Sequence, residues 1–158
     1  MTIIRPAGRN DVPTILRFVR DLAAFEREPD AVEADEEALD RALFVEKCAE
    51  AVIAERDGAA VGFAVFFHNF STWTGKKGLY LEDLYVTPEA RGTEVGTHLL
   101  KHLAAIAVER DCARFEWAVL DWNQPAIDFY TSQGAEMIAE WRIERVTGKA
   151  LARLAQAR

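Results

Sequence analysis

The sequence predicts an α/β protein in which helices cover both faces of one mixed sheet. Its 158 residues are 50% hydrophobic and 28% charged, a globular composition whose length suits a single domain over residues 1–158. Strand-like stretches flank the dipeptide Asp57-Gly58, which favours a tight hairpin turn. The element order β-α-α-β-β-β-α-β-α-β-β then joins hairpins to β-α-β units, and this combination is typical of a mixed sheet.

The first part of the chain predicts one strand and two helices. Residues 2–5 form the strand. Asn10 or Asp11 can cap the first helix, and Pro13 lies in its first turn, where a missing N–H costs no hydrogen bond. Asp35 can cap a second helix, which extends to residue 43. The apolar face of the first helix, repeated at helical spacing, consists of Val12, Ile15, Leu16, Val19, Leu22 and Phe25.

The rest of the chain predicts the remaining strands and the second set of helices. Residues 51–55 and 60–67 form the hairpin, and residues 78–86 form a strand that ends before a proline. A turn over residues 91–96 leads into a long helix. The later elements are a strand over residues 113–120, a short helix opened by Pro125 and ended by Gly134, strands over residues 137–138 and 141–146, and an Ala-rich C-terminal helix.

The charge distribution excludes some classes of partner. The net charge is −7, and residues 26–50 alone hold 10 acidic and 3 basic residues, a difference equal to the whole net charge. A nucleic-acid-binding protein needs a positive surface, so we expect no nucleic-acid partner. No apolar run is long enough to span a membrane. The two cysteines form no disulfide framework, so we expect a cytoplasmic protein without membrane contact.

One strand–turn–helix junction can bind an anion. Between residues 80 and 97 a strand enters a Gly-containing turn that opens a helix, which points backbone N–H groups and the positive helix end at one place. Arg91 adds a cation. These residues fit a phosphate site and, equally, an ordinary strand-to-helix loop.

This junction resembles the pyrophosphate motif Arg/Gln-x-x-Gly-x-Gly/Ala of the GNAT acetyltransferases. Arg91 and Gly96 match, whereas Glu94 stands where the family has its middle Gly. Further strings in the same register resemble the diamine acetyltransferase subgroup, and within it the enzymes that acetylate thialysine. These strings are Ile4-Arg5-Pro6-Ala7, Leu22-Ala23-Ala24-Phe25-Glu26, Ser71-Thr72-Trp73, Tyr80-Leu81-Glu82-Asp83, Val119-Leu120-Asp121-Trp122-Asn123-Gln124, Tyr130 and Gly134-Ala135.

The resemblance implies a GNAT fold with a mostly antiparallel sheet, acetyl-CoA as co-substrate, no metal and a homodimer. The pantetheine arm is expected along the strand that contains Leu84, whose N–H faces the thioester oxygen, and the pyrophosphate is expected on the loop. The residues that the resemblance assigns to acetyl-CoA are Leu84, Tyr85, Val86, Arg91, Gly92, Thr93, Glu94, Val95, Gly96, Thr97, Asn123, Gln124, Pro125, Ala126 and Tyr130.

Acetyl transfer to an amine needs a base for the ammonium and an acid for the departing thiolate. The resemblance implies Tyr130 as the acid and Glu82 as the base or base relay. From the sequence alone, a core aromatic on a short helix is the more common role for a residue such as Tyr130, and only the resemblance favours catalysis. Glu82 and Asp83 are adjacent on a strand, so both enter one site only if the strand is bulged. The residues expected to contact the amine are Phe25, Glu26, Glu82, Asp83, Glu116 and Trp117.

The expected substrate is a small cationic amine, in particular a lysine-like amino acid such as thialysine. A diamine or polyamine is the alternative, and a non-catalytic CoA-binding or amine-sensing module is the second. The acidic residues that begin at Glu26 would concentrate cations at the mouth of the site. Glu94 leaves three outcomes open: it turns outward, it weakens coenzyme binding, or it disables the site.

Overall fold

In the computed structural model, which describes residues 1–156, five strands form one mixed sheet in the order β1-β2-β3-β4-β5. Each of the first four strands pairs antiparallel with its neighbour, and β5 runs parallel to β4. The predicted mixed and mostly antiparallel sheet is therefore confirmed. The strands are β1 (Thr2–Pro6), β2 (Glu50–Arg56), β3 (Ala59–Ser71), β4 (Lys76–Val86) and β5 (Phe115–Trp117).

Five α-helices accompany this sheet in the described residues. Asp35 caps α2 as predicted, because its carboxylate accepts a 2.8 Å hydrogen bond from the backbone N–H of Ala38. The residues Arg41–Val45 continue α2 as one π-helical turn. The helices are α1 (Val12–Phe25), α2 (Glu36–Asp40), α3 (Val95–Glu109), α4 (Gln124–Ser132) and α5 (Gly148–Gln156). None of them is long and apolar enough to cross a membrane.

The predicted hairpin turn joins β2 to β3. Asp57 and Gly58 both have positive φ, 52° and 79°. Two central residues with positive φ match the right-handed twist of the flanking strands. The turn chemistry alone was therefore enough to predict this connection.

Helices α1 and α3 lie on opposite faces of the sheet. On one face Phe18 of α1 packs against Phe63 and Tyr85, at ring-centroid distances of 5.6 and 5.4 Å. Gly62 precedes Phe63 on β3 and so faces the other way. A Cβ placed at Gly62 would lie 3.3 Å from Leu99 of α3 and 2.8 Å from a backbone oxygen, so only glycine lets α3 approach this closely. The predicted coverage of both faces is confirmed.

Strand β4 contains a bulge at Glu82. Val65 of β3 pairs with Asp83 and Phe66 pairs with Leu81, so Glu82 has no partner residue on β3. The extra residue shifts the alternation of side chains along β4. As a result Tyr80, Asp83 and Tyr85 share the face on which α1 packs.

The strand predicted over residues 113–120 is shorter in the structure. β5 comprises only Phe115–Trp117, and its pairing with β4 ends at Leu81, immediately before the bulge. A bulged strand bends and interrupts the regular ladder. The prediction was correct about the element and wrong about its length.

The contacts divide the chain into two compact units, Met1–Leu120 and Asp121–Arg158. The Oδ1 atom of Asn123 caps α4 by accepting from the N–H of Ala126 at 3.3 Å. The strands predicted over residues 137–138 and 141–146 are wrong, because this segment forms no strand. Its apolar side chains include Trp141 and Ile143, which are 69% and 71% exposed, so strand-like composition alone did not produce pairing.

Candidate active site

The loop between β4 and α3 forms an anion-binding cradle. Gly92 has a φ of 75°, which turns the chain toward the start of α3. Within residues 1–156, no backbone carbonyl accepts a hydrogen bond from the N–H groups of residues 92–97. Free N–H groups at a helix start, together with the helix dipole, attract an anion. The loop therefore offers an anion free backbone N–H groups at the start of a helix.

Glu94 is compatible with this geometry. Its φ is −80° and its ψ is 5°, a backbone conformation open to any L-residue. Its side chain is exposed and caps no helix N–H. The positive φ that glycine permits is needed at Gly92 instead. Of the three outcomes considered for Glu94, the outward side chain agrees with this conformation.

Arg56 contacts the same loop, although no motif in the sequence pointed to it. Its Nη2 atom lies 3.3 Å from the hydroxyl of Thr93 and 3.2 Å from the hydroxyl of Thr2. Thr93 in turn donates to the carbonyl of Ala90. Arg56 is the last residue of β2, and only the packing of the hairpin beside the loop brings this second cation to it.

The predicted coenzyme strand has an open edge. β5 pairs with β4 only as far as Leu81, so residues 82–86 have no β5 partner. Leu84 and Tyr85 pair with β3 on the other side. An unpaired strand edge presents backbone N–H and C=O groups to an extended ligand. This edge suits the amide groups of a pantetheine arm.

Arg91 lies where the strand meets the loop. Its Nε donates to the carbonyl of Val86 at 2.9 Å. The guanidinium carbon lies 5.1 Å from the ring centre of Phe25 and 5.4 Å from that of Tyr85. Arg91, the predicted phosphate cation, therefore contacts Phe25, which was predicted to contact the amine.

Three of the predicted carboxylates come together on the α1 side of the sheet. Burial, together with the negative charges of Glu82 and Glu26, raises the pKa of Asp83 to about 6. Burial also raises the pKa of Glu26. Glu82 is exposed at the bulge. Glu82 and Asp83 were expected to reach one site only if their strand is bulged, and β4 has this bulge.

Glu116 reaches the same region through Tyr80. Burial raises the pKa of Tyr80, and the charges of Glu82 and Glu116 add to the rise. The ring of Phe67 lies 5.1 Å from that of Tyr80. Asn69 donates to Glu116 at 3.5 Å. Tyr80, Phe67 and Asn69 were missed as site residues, because only the register of β3, β4 and β5 places them beside the carboxylates.

Trp117 is not brought into this group. It follows Glu116 on β5, so its side chain points to the other face of the sheet. There its ring lies 4.9 Å from that of Phe115. The structure therefore does not place Trp117 with the acidic residues that the sequence analysis grouped it with.

The other predicted residues belong to the second unit. Tyr130 is half-buried on α4, and its ring lies 5.3 Å from that of Phe129. Asn123, Gln124, Pro125 and Ala126 form the start of α4. Their assignment to acetyl-CoA, and that of Tyr130 to proton transfer, stay predictions. Among residues 1–156 no group of three or more His, Cys, Asp or Glu side chains is arranged to hold a metal.

Comparison with known proteins agrees with these features. The sequence model of the acetyltransferase (GNAT) family matches residues 16–135. The chain is 39% identical to the thialysine N-epsilon-acetyltransferase of Sus scrofa over 165 residues, which cover 97% of this chain and 96% of the relative. It is also 39% identical to the spermidine/spermine N(1)-acetyltransferase-like protein 1 of Homo sapiens over 84% of this chain and 20% of the relative. The integron cassette protein VCH_CASS6 from the mobile metagenome of V. cholerae superposes with a TM-score of 0.82 at 28% identity, over 99% of this chain and 98% of that protein.

Proposed function

The chain belongs to the acetyltransferase (GNAT) family, and from this premise we propose that its acceptor is a lysine-like amino acid such as thialysine. It is an N-acetyltransferase that moves an acetyl group to an amine. Acetyl-CoA is the proposed donor in this chain. The single observation that best supports the proposal is that β4 carries an acidic group at its bulge and leads into an anion cradle at its end.

The cradle and the open edge of β4 are proposed to hold the donor. The free N–H groups of residues 92–97 would bind the pyrophosphate, with Arg56 and Arg91 as nearby cations. Residues 84–86 would pair with the pantetheine amides, and the N–H of Leu84 would face the thioester oxygen. A donor at that oxygen stabilises the negative charge that develops during attack.

The carboxylates at the bulge are proposed to hold and deprotonate the amine. Asp83 and Glu26 would pair with the ammonium, whose charge relieves the repulsion among the acids. Glu82, exposed at the bulge, would accept the ammonium proton directly or through water. The free amine nitrogen then forms a C–N bond to the acetyl carbon as the C–S bond breaks. Tyr130 is proposed to donate a proton to the departing thiolate, which completes the transfer.

Glu116 fits an acceptor with a second cationic group, a property that lysine-like amino acids share with the diamine or polyamine alternative. Its charge acts on Tyr80 together with that of Glu82, so negative charge extends from the bulge along β4. A second ammonium a few carbons from the first would meet Glu116 and Asn69. Both lysine-like amino acids and short diamines have such a group, and this arrangement does not by itself distinguish them.

Acetyl-CoA turnover across thialysine, lysine, ornithine, putrescine and spermidine tests the proposal. We expect thialysine and its lysine-like analogues to have the highest kcat/KM. A higher kcat/KM for spermidine would favour the polyamine alternative instead. Turnover of none of them, with acetyl-CoA still bound in calorimetry, would indicate the non-catalytic CoA-binding or amine-sensing module.

We propose in addition that the protein acts in the cytoplasm as a homodimer. The net charge of −7 supports a partner that is cationic and small, and it disfavours nucleic acid and anionic membrane surfaces. Sedimentation equilibrium of the purified chain tests the dimer, and a monomer at micromolar concentration would contradict it.

A further inference from the structure

Arg91 connects the two proposed substrate sites. One edge of its guanidinium is tied to the coenzyme strand, because Nε donates to the carbonyl of Val86 at 2.9 Å. Its guanidinium carbon lies over the ring of Phe25, 5.1 Å from the ring centre. Phe25 is the last residue of α1 and is followed at once by Glu26. One side chain thus contacts both the beginning of the phosphate loop and the end of the helix that carries an amine-site carboxylate.

Phe25 is only partly packed against its neighbours. Its side chain is 47% exposed although it ends an otherwise well-packed amphipathic helix. The ring centre of Tyr85 lies 5.4 Å from the guanidinium carbon of Arg91, and Tyr85 is itself packed on Phe18 of α1. A planar guanidinium can stack on both rings, whereas a lysine ammonium keeps the charge and loses the planar contact.

We propose that Arg91 is a positioning residue through which the bound coenzyme orders the Phe25–Glu26 end of α1 and thereby the amine site. This inference rests on the proposed function. A pyrophosphate in the cradle holds the guanidinium by charge-assisted hydrogen bonds. The fixed guanidinium then holds the ring of Phe25, and Glu26 keeps its place beside Asp83. Coenzyme binding therefore strengthens amine binding, and by linkage the amine strengthens coenzyme binding equally.

The kinetic test compares Phe25→Leu, Arg91→Lys and the double variant, with Phe70→Leu and Arg20→Lys as exposed controls. Phe25→Leu should raise the KM for thialysine about threefold to tenfold and change the Kd for CoA less than about twofold, the range expected when one cation–aromatic contact is lost. Arg91→Lys should weaken both substrates. In the double variant the thialysine KM should equal that of Arg91→Lys alone, because both changes remove the same contact. Additive effects on the thialysine KM would overturn the proposal.

A second test does not depend on turnover. The N–H groups of Glu26 and Glu28 donate to the carbonyls of Leu22 and Ala23 at the end of α1, so their exchange reports the order of this end. CoA should slow amide exchange at residues 26–28 in the native chain and not in Arg91→Lys or Phe25→Leu at saturating CoA. Equal protection in all three would refute the role of Arg91. If CoA protects residues 26–28 only when Arg91 is present, but the chain acetylates no amine, the proposed function is refuted. The ordering role of Arg91 then still stands.

Discussion

Replacing Asp83 by asparagine should stabilise the free protein above pH 6 while impairing catalysis. The pKa of Asp83 is about 6 in the folded chain against an ordinary value of 3.8. Burial is the main cause, and the charges of Glu82 and Glu26 act in the same direction. Asparagine has nearly the same shape and carries no charge at any pH.

The sign of the effect follows from proton binding. Well below pH 3.8 the carboxyl group is protonated in both the folded and the unfolded chain. It then carries no charge and imposes no free-energy cost on folding. Between pH 3.8 and about 6 the unfolded chain has lost the proton and the folded chain retains it, so the stability due to this group falls as pH rises. Above about pH 6 the carboxyl group is ionised in both chains, and the folded chain bears the full free-energy cost of its charge. A difference of about 2 pH units corresponds to about 3 kcal/mol.

Urea unfolding measures this penalty. The free energy of unfolding of Asp83→Asn should exceed that of the native chain by about 3 kcal/mol at about pH 7.5, and the excess should shrink toward zero at about pH 3.5. Asp30→Asn is the control, since Asp30 is exposed. A constant difference between Asp83→Asn and the native chain across this pH range would refute the electrostatic explanation. The same substitution should lower kcat/KM for a cationic amine, because the ammonium loses its buried partner.

Three other predictions concern the proposed chemistry. Glu94→Gly should change the Kd for acetyl-CoA by less than tenfold in calorimetry, because Glu94 is exposed with an ordinary φ of −80°; a larger gain in affinity would contradict the outward side chain. Glu82→Gln should remove the acidic limb from the pH profile of kcat/KM, and an unchanged profile would exclude Glu82 as the base. Tyr130→Phe should lower kcat by roughly 10- to 100-fold with little change in the KM for the amine, as expected for lost general acid catalysis; a selective rise in KM would instead indicate a binding role.

The sequence by itself determined the features that depend on neighbouring residues. The positive φ of Asp57 and Gly58, the cap of α2 at Asp35 and the strand–turn–helix around Gly92 are all local, and their residue types were sufficient to predict them. The helix periodicity of α1 predicted the burial of Val12, Ile15 and Leu16, but it missed the buried Phe18 and wrongly included Phe25, which is 47% exposed. The family followed from strings that span most of the chain.

Strand pairing was only partly predictable, because it requires a partner as well as composition. Residues 141–146 have the composition of a strand, yet they form none, and β5 ends after Phe115–Trp117. Local propensity sets what a segment can form, and the available hydrogen-bond partners decide what it does form.

The character of the site came only from the tertiary structure. The register between β3 and β4 creates the bulge at Glu82, and this one extra residue directs the half-buried Asp83 to the α1 face, where burial and the charges of Glu82 and Glu26 raise its pKa. The placement of Arg91 on Phe25 joins residues 66 positions apart in sequence. Burial and contacts at such separations depend on how all the strands and helices pack together, so no local pattern could specify them. Sequence supplied the chemical groups, and packing decided which of them act on one another.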